Sequence, residues 1–153
     1  MSELKIRPAT EHDVDSLLAF ERGVVAEERP LNATLKVGEV HYYDVAELVA
    51  SDESMVLVAE VDGVLVGTGH ASIKPSLDYL KHDRHAYLGL MYVDPKFRRR
   101  GIIQAIIEAL MVWSRTQGVA DYYLDVYSLN GPAIKAYEKL GFKPNLVEMS
   151  LHD

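Results

Sequence analysis

Apolar residues along the chain recur at two spacings, one of strands and one of helices. Leu4 to Arg7 reads as a short first strand. Thr10 and Asp13 form a capping pair, and Val14, Leu17 and Leu18 behind them predict a helix running to about Val25. Pro30 and Asn32 break that pattern, and a second helical piece is expected over Tyr43 to Ala50. Met55 to Ile73 predicts a hairpin, with Val56, Val58 and Val61 leading into the turn Asp62-Gly63 and the run Val64-Leu65-Val66 leaving it. Pro75 and its charged neighbours make 74–84 a loop. Ala86 to Val93 is the next strand and Asp94-Pro95 a turn. Gly101 to Gln117 then predicts a helix so rich in isoleucine, from Ile102 and Ile103 to Ile106 and Ile107, that packing on more than one face is expected. Gly118 is placed to cap it. Asp121 to Tyr127 predicts another strand, and Asn130-Gly131-Pro132 opens a short helix closed by Gly141. One or two final strands are expected over 142–151.

A strand, a helix and a strand between 86 and 127 require a crossover, so those two strands run parallel, whereas the hairpin is antiparallel. The expected fold is therefore mixed α/β, a central mixed sheet with helices on both faces. No repeat, low-complexity stretch or linker divides the chain, so one domain over 1–153 is expected.

The bulk numbers narrow the chemistry. A chain of 153 residues buries roughly 70% of its unfolded surface, enough for a core without covalent staples. It has no cysteine, which excludes disulfides, thiolate metal sites and a cysteine nucleophile. His82 and His85 sit in a polar stretch without zinc-like partner spacing, so no metal is expected. No apolar run approaches the ~20 residues of a membrane span, and the opening MSELKIRPATEHD is too polar for a secretory signal. A cytoplasmic protein is the expectation. The net charge of −7 disfavours nucleic acid as a partner.

Positive charge is instead concentrated from Lys96 to Arg100. Arg98-Arg99-Arg100-Gly101-Ile102-Ile103 lies between a strand and a helix, where the first helical N–H groups lack partners and the positive end of the helix dipole points outward. Such a loop suits a phosphorylated ligand. Gly101 lets the backbone approach closely or take a φ closed to other residues.

These residues resemble the signatures of the GCN5-related N-acetyltransferase (GNAT) superfamily. In that family a strand ending in a Val-x-Pro-like turn precedes Arg or Gln, two residues, Gly, one residue, and Gly or Ala; here Val93-Asp94-Pro95 precedes Arg98 and Gly101. A second signature follows the next strand, and Asn130, Ala133, Tyr137, Gly141 and Phe142 fall at its offsets. The resemblance covers about 55–142. It implies a GNAT-like acyl-CoA N-acyltransferase fold with splayed parallel strands, and acetyl-CoA as co-substrate. It implies that main-chain groups of Arg98, Arg99, Arg100, Gly101, Ile102 and Ile103 hold the diphosphate. Main chain around Met91, Tyr92 and Val93 pairs with the pantetheine arm, and the thioester lies between Leu90–Val93 and Leu124–Tyr127. Asn130 either caps its helix or meets the pantetheine amides, with Ala133 beside it. Tyr137 is the candidate proton donor to the thiolate leaving group, although alone it reads as a core tyrosine on a stripe with Ala133, Ala136 and Leu140.

Two departures matter. Ile103 stands where the family usually has Gly or Ala; it either crowds the diphosphate or points into the core beside Ile106 and Ile107, and its branched side chain favours the core. The stretch Leu88-Gly89-Leu90-Met91-Tyr92 also lacks the Glu that many members carry there, Gly89 occupying about its place. Glu27 and Glu28 are candidate substitutes, with a solvated charged turn beside Arg29 as their plain alternative and a water relay to a backbone carbonyl still open.

The implied function is acetyl transfer to a primary amine on a small molecule or peptide. Acceptor choice falls to Val24–Tyr43, including His41, Tyr42 and Tyr43, and to the loop 74–84. A non-catalytic acyl-CoA sensor is the alternative that the missing strand carboxylate suggests. A dinucleotide-binding fold is disfavoured, since G-x-G-x-x-G is absent. For a small soluble enzyme a homodimer is the default expectation.

Overall fold

Strand β2 (Ser54–Val61) shows how the sheet is buried in the computed structural model, which describes residues 3–153. Its side chains alternate between two cores. Val56 and Val58 pack with Leu17, Val45 and Leu90 on one face, while Leu57 and Ala59 join Val66, Leu88, Ile106 and Leu110 on the other. The sheet order is β1 (Leu4–Pro8), β2, β3 (Val64–Pro75), β4 (Arg84–Val93), β5 (Tyr122–Tyr123), each neighbour antiparallel except β4–β5, which is parallel. Helices α1 (Val14–Glu28) and α2 (Val45–Ala50) cover the Leu17 face. Helix α3 (Ile102–Thr116), the crossover from β4 to β5, covers the other. Tyr137 of α4 (Gly131–Lys139) and the following Leu140 and Phe142 also pack there. Among the described residues no helix is long and apolar enough to cross a membrane.

Several boundaries move from their sequence-based positions. Helix α1 continues to Glu28, so Glu27 and Glu28 occupy its last turn rather than the turn beyond it. Asp44 caps α2 by accepting from the Glu47 N–H at 3.1 Å, which shortens that helix to start at Val45. Helix α3 packs along one broad arc, not two faces: Ile102, Ile106, Ile107 and Leu110 are buried, whereas Gln104, Glu108 and Val112 face solvent. The strand expected over 121–127 pairs only at Tyr122 and Tyr123. Strands expected over 142–151 are absent, and Leu146, Met149 and Leu151 remain 91%, 89% and 89% exposed. A strand makes no hydrogen bonds within itself, so an apolar pattern without a sheet edge beside it stays irregular.

The first loop is fixed by a compact polar knot. Asp13 accepts from the Thr10 N–H at 2.8 Å and from Arg7 at 2.8 and 3.0 Å, while Arg7 also reaches Glu60 at 2.7 Å. The knot ties β1 and β2 to the start of α1. The Arg7 hydrogen bonds, aided by the Thr10 N–H against the cost of burial, hold the Asp13 carboxyl down at about 2. Its contribution is therefore complete above the ordinary carboxylate range and vanishes as pH falls through about 2. Asp13→Asn should lower unfolding stability by about 2 kcal/mol at neutral pH. Urea titrations should show that difference shrinking in strong acid.

Candidate active site

The site begins where β4 loses one neighbour. Ala86 and Tyr87 pair with Tyr122 and Tyr123, and beyond them the two strands part. Just past the parting, β4 is irregular. Against β3, three steps from Gly89 to Tyr92 oppose two from His70 to Thr68, a bulge with Leu90 at φ 52°. The side chains around the bulge are committed to the two cores. Met91 crosses to the α3 face, where a Cβ on Gly69 would lie 2.7 Å from Ile106 Cγ2 and against the Met91 sulfur. Tyr92 lies against Gly23 of α1, its ring 5.7 Å from that of Phe20. What these residues offer the gap is main chain. The Val93 carbonyl is already taken by Arg98 Nε at 2.8 Å.

Beyond β4, Asp94 anchors the loop by donating its N–H to Val66 O at 2.7 Å and accepting from Lys96 N at 2.9 Å. Arg99 and Gly101 then take left-handed conformations, φ 64° and 77°. Among the described residues, no protein group accepts from the N–H of Arg99, Arg100, Gly101, Ile102 or Ile103; the first back-bond of α3 runs from Ala105 to Gly101 O at 3.0 Å. A Cβ on Gly101 would meet nothing within 4 Å. The loop thus presents open donors and open space, which fits a dense anion such as a diphosphate.

The arginine side chains behave differently from one another. Arg98 turns away from the loop, bonding Val93 O, pairing with Glu27 and lying 5.4 Å from the Tyr92 ring. Arg100 lies 5.0 Å over Phe97. Of the two readings for Ile103, the structure favours the core: its side chain packs against the α3 cluster.

Glu28 and Tyr137 lie within electrostatic reach of one another. Glu28 is half-buried, and burial raises its carboxyl above the usual range, with Tyr42 opposing and Glu27 adding to the rise. Glu27 is held by Arg98, so the two carboxylates have separate fates. Asn130 caps α4, its Oδ1 accepting from Ala133 N at 3.3 Å. That cap sets the helix carrying Tyr137, whose ring meets Phe142 edge-on at 6.2 Å. Burial, with Glu28 and Tyr43 nearby, pushes the Tyr137 hydroxyl up to about 12. It stays protonated at neutral pH.

Tyr43 fills the place above Gly89: a Cβ there would collide with its hydroxyl and sit 2.9 Å from His70 Cε1. His70 is fully buried, held neutral by desolvation at about 4. Tyr87 donates to Asp125 at 3.1 Å, and Asn32 donates to the Tyr127 hydroxyl at 2.9 Å, joining the 28–43 segment to the opposite wall. The 74–84 segment meets Tyr87 through Lys74, whose Nζ lies 5.2 Å over the ring. Ser76, His82 and Tyr123 close the segment at the paired end of β4, with His82 Nε2 2.9 Å from the Tyr123 hydroxyl. Among the described residues no group of three or more His, Asp or Glu is arranged to hold a metal ion.

Glu21 was not distinguished by its chemistry in the sequence. Its position on the stripe Leu17, Glu21, Val25 was the available signal, a carboxylate in an apolar seam. It is 1% exposed and receives the N–H groups of Tyr42 and Tyr43, both at 3.0 Å, with His41 Nδ1 at 2.8 Å.

The family model described as the acetyltransferase (GNAT) family matches residues 24–142. An N-alpha-acetyltransferase of Sulfurisphaera tokodaii is 32% identical over 146 residues, covering 92% of this chain and 81% of that protein. Aminoglycoside N(6')-acetyltransferase type 1 of Salmonella typhimurium is 29% identical over 108 residues, 69% of this chain and 73% of that one. Among solved structures, aminoglycoside N-acetyltransferase AAC(6')-Iy in complex with CoA has a TM-score of 0.75 at 23% identity, covering 100% of this chain and 96% of that chain. A predicted acetyltransferase from Clostridium acetobutylicum, solved with acetyl-CoA, has a TM-score of 0.72 at 18% identity, covering 98% and 96%. These two structures share the fold.

Because a Cβ at Gly101 meets nothing within 4 Å, Gly101→Val tests the loop without a Cβ clash against the protein. The branched side chain at a left-handed φ costs about 1–2 kcal/mol of stability and projects into the space before the donors. Calorimetry with CoA should show affinity falling at least about tenfold, equivalent to 1.4 kcal/mol. Normal affinity in the folded variant would reassign the loop.

Proposed function

The chain belongs to the acetyltransferase (GNAT) family, and from that premise we propose that residues 1–153 act as one N-acetyltransferase domain. It transfers acetyl from acetyl-CoA to a primary amine by direct attack of the amine on the thioester in a ternary complex. The observation that carries this reading is the run of unpaired main-chain donors from Arg99 to Ile103 at the mouth of the β4–β5 gap. A diphosphate gripped there directs the pantetheine arm along the β4 main chain from Tyr92 toward Leu90, with Asn130 and Ala133 on the other wall.

Acetyl-CoA supplies the activated acyl carbon and a thiolate leaving group. The protein supplies proton management. Glu28 accepts the ammonium proton: its carboxyl, raised by burial, binds that proton more readily than an exposed carboxylate. Tyr137 keeps its own proton at neutral pH and donates it to the departing sulfur. Arg98 takes Glu27 out of competition. A base on α1 removes the reason for a non-catalytic sensor, which rested on β4 lacking a carboxylate.

The acceptor is a small-molecule or peptide amine. Tyrosine rings at 42, 43 and 127 with carboxylates at 28 and 125 suit a cationic amine, through ring quadrupoles and charge. The N-alpha-acetyltransferase and aminoglycoside acetyltransferase relatives support both acceptor types. Thiol release should be measured with acetyl-CoA and a panel of aminoglycosides and peptides with free N-termini. Turnover with at least one acceptor is expected; CoA binding without release from any amine would sink the reading.

Two variants separate the proton roles. Glu28→Gln should lower kcat/KM by roughly 10²-fold and abolish the acid limb of its pH profile. That limb in the wild-type protein should fall above the ordinary glutamate range, in the direction burial dictates. Tyr137→Phe should lower kcat by roughly 10²-fold with CoA affinity unchanged. An unaltered kcat in single-turnover measurements would remove Tyr137 from the chemistry.

A further inference from the structure

The segment that brings Tyr42 and Tyr43 to the site has little regular structure. Residues 32–44 form turns and bends between α1 and α2, without a sheet partner. Such a segment has many conformations to lose, so its order requires specific contacts. Arg29 holds the Lys36 and Gly38 carbonyls and Asn32 reaches Tyr127, and the contacts of residues 41–43 converge on one carboxylate. Glu21 projects from the middle of α1 and is 1% exposed. Its Oε2 receives the consecutive N–H groups of Tyr42 and Tyr43 at 3.0 Å each, and its Oε1 lies 2.8 Å from His41 Nδ1. His41 Nε2 in turn lies 3.2 Å from Glu39. Two adjacent main-chain donors on one buried oxygen fix the peptide plane between residues 42 and 43. They thereby fix the direction in which the Tyr43 side chain leaves the chain.

That direction has a consequence at β4. The Tyr43 hydroxyl occupies the volume a side chain at Gly89 would need, and its ring lies 4.8 Å from His70, edge-on. Gly89 immediately precedes the bulge in β4, just past the last β4–β5 pair. Resting on the acetyltransferase reading above, we propose that Glu21 is a positioning residue of the acceptor site: through the main chain of Tyr42 and Tyr43, its carboxylate holds the Tyr43 hydroxyl over Gly89, where the amine meets the thioester. Glu21 touches neither substrate. Its effect is carried by Tyr43, which supplies from a loop the polar group that β4 lacks at residue 89.

The distinguishing variants are Glu21→Leu and Glu21→Gln. Leucine continues the apolar stripe of Leu17 and Val25 but offers no acceptor to the two N–H groups. Glutamine keeps one carbonyl oxygen for both N–H groups and can donate its amide to neutral His41 Nδ1. In the 153-residue chain, Glu21→Leu should raise the amine KM about tenfold, a 1.4 kcal/mol effect. Its CoA affinity should stay at the wild-type value, and Glu21→Gln should restore the amine KM above the His41 pKa. Tyr43→Phe combined with Glu21→Leu should be markedly non-additive, because both act at one hydroxyl. Amide exchange at Tyr42 and Tyr43, and the ring-current shift of the Gly89 Hα, should change in Glu21→Leu while β2 amides stay protected.

An unchanged amine KM, equal losses in amine and CoA binding, additive double variants or no rescue by glutamine would each overturn the proposal. So would unchanged exchange and Gly89 shift. Where Glu21→Leu does not fold, Glu21→Ala carries the same readouts. Absence of turnover by the wild-type protein on any amine would sink the enzymatic reading, whereas the exchange and shift measurements decide independently whether Glu21 holds Tyr43.

Discussion

Strand β4 must satisfy its main chain on two sides, and only one side is satisfied throughout. Its ladder with β3 runs the length of the strand, interrupted once by the bulge, whereas its parallel ladder with β5 ends at Tyr87–Tyr123. Backbone polar groups left on the inner side of a sheet are costly unless water or a ligand meets them. The gap is therefore a weakness of the fold and, in the proposed function, the binding surface. Its walls follow from the same constraint: Leu90 and Tyr92 face the α1 side, Met91 faces α3, and peptide groups remain between. The loop after Val93 continues this logic, because Arg99 and Gly101 turn left-handed and leave the following N–H groups without protein acceptors.

Electrostatic sorting then gives similar residues different tasks. Glu27 and Glu28 are neighbours in sequence, yet Arg98 neutralises the first and burial raises the second. Arg98 and Arg99 are likewise adjacent, but Arg98 is spent on Val93 O and Glu27. In the proposed function the loop therefore meets the ligand with main-chain donors and without the Arg98 side chain. Such donors need no side-chain ordering when the ligand arrives, which favours affinity. Glu21 shows a third fate: a carboxylate buried in an apolar seam, tolerated because two N–H groups and an imidazole meet it.

The order of elements, the hairpin at Asp62-Gly63, the parallel pair and the long apolar helix were legible because each rests on local periodicity or turn chemistry. Both signatures were legible for the same reason, their spacing being set by one loop and one short helix. The sequence also identified Glu27, Glu28 and Tyr43 as residues to consider, though without choosing among their roles. Tertiary structure gave the three different surroundings. Whether a carboxylate is paired or buried depends on residues 71 positions away, as between Glu27 and Arg98. Whether an apolar stretch becomes a strand depends on an available edge, which 142–151 lacks and which Leu124–Tyr127 lose as β5 leaves β4. The collision of a Gly89 Cβ with the Tyr43 hydroxyl joins two segments that no local pattern relates. Periodicity and turn chemistry act within a few residues and are written in the chain; desolvation, pairing and strand edges belong to neighbours that only folding supplies.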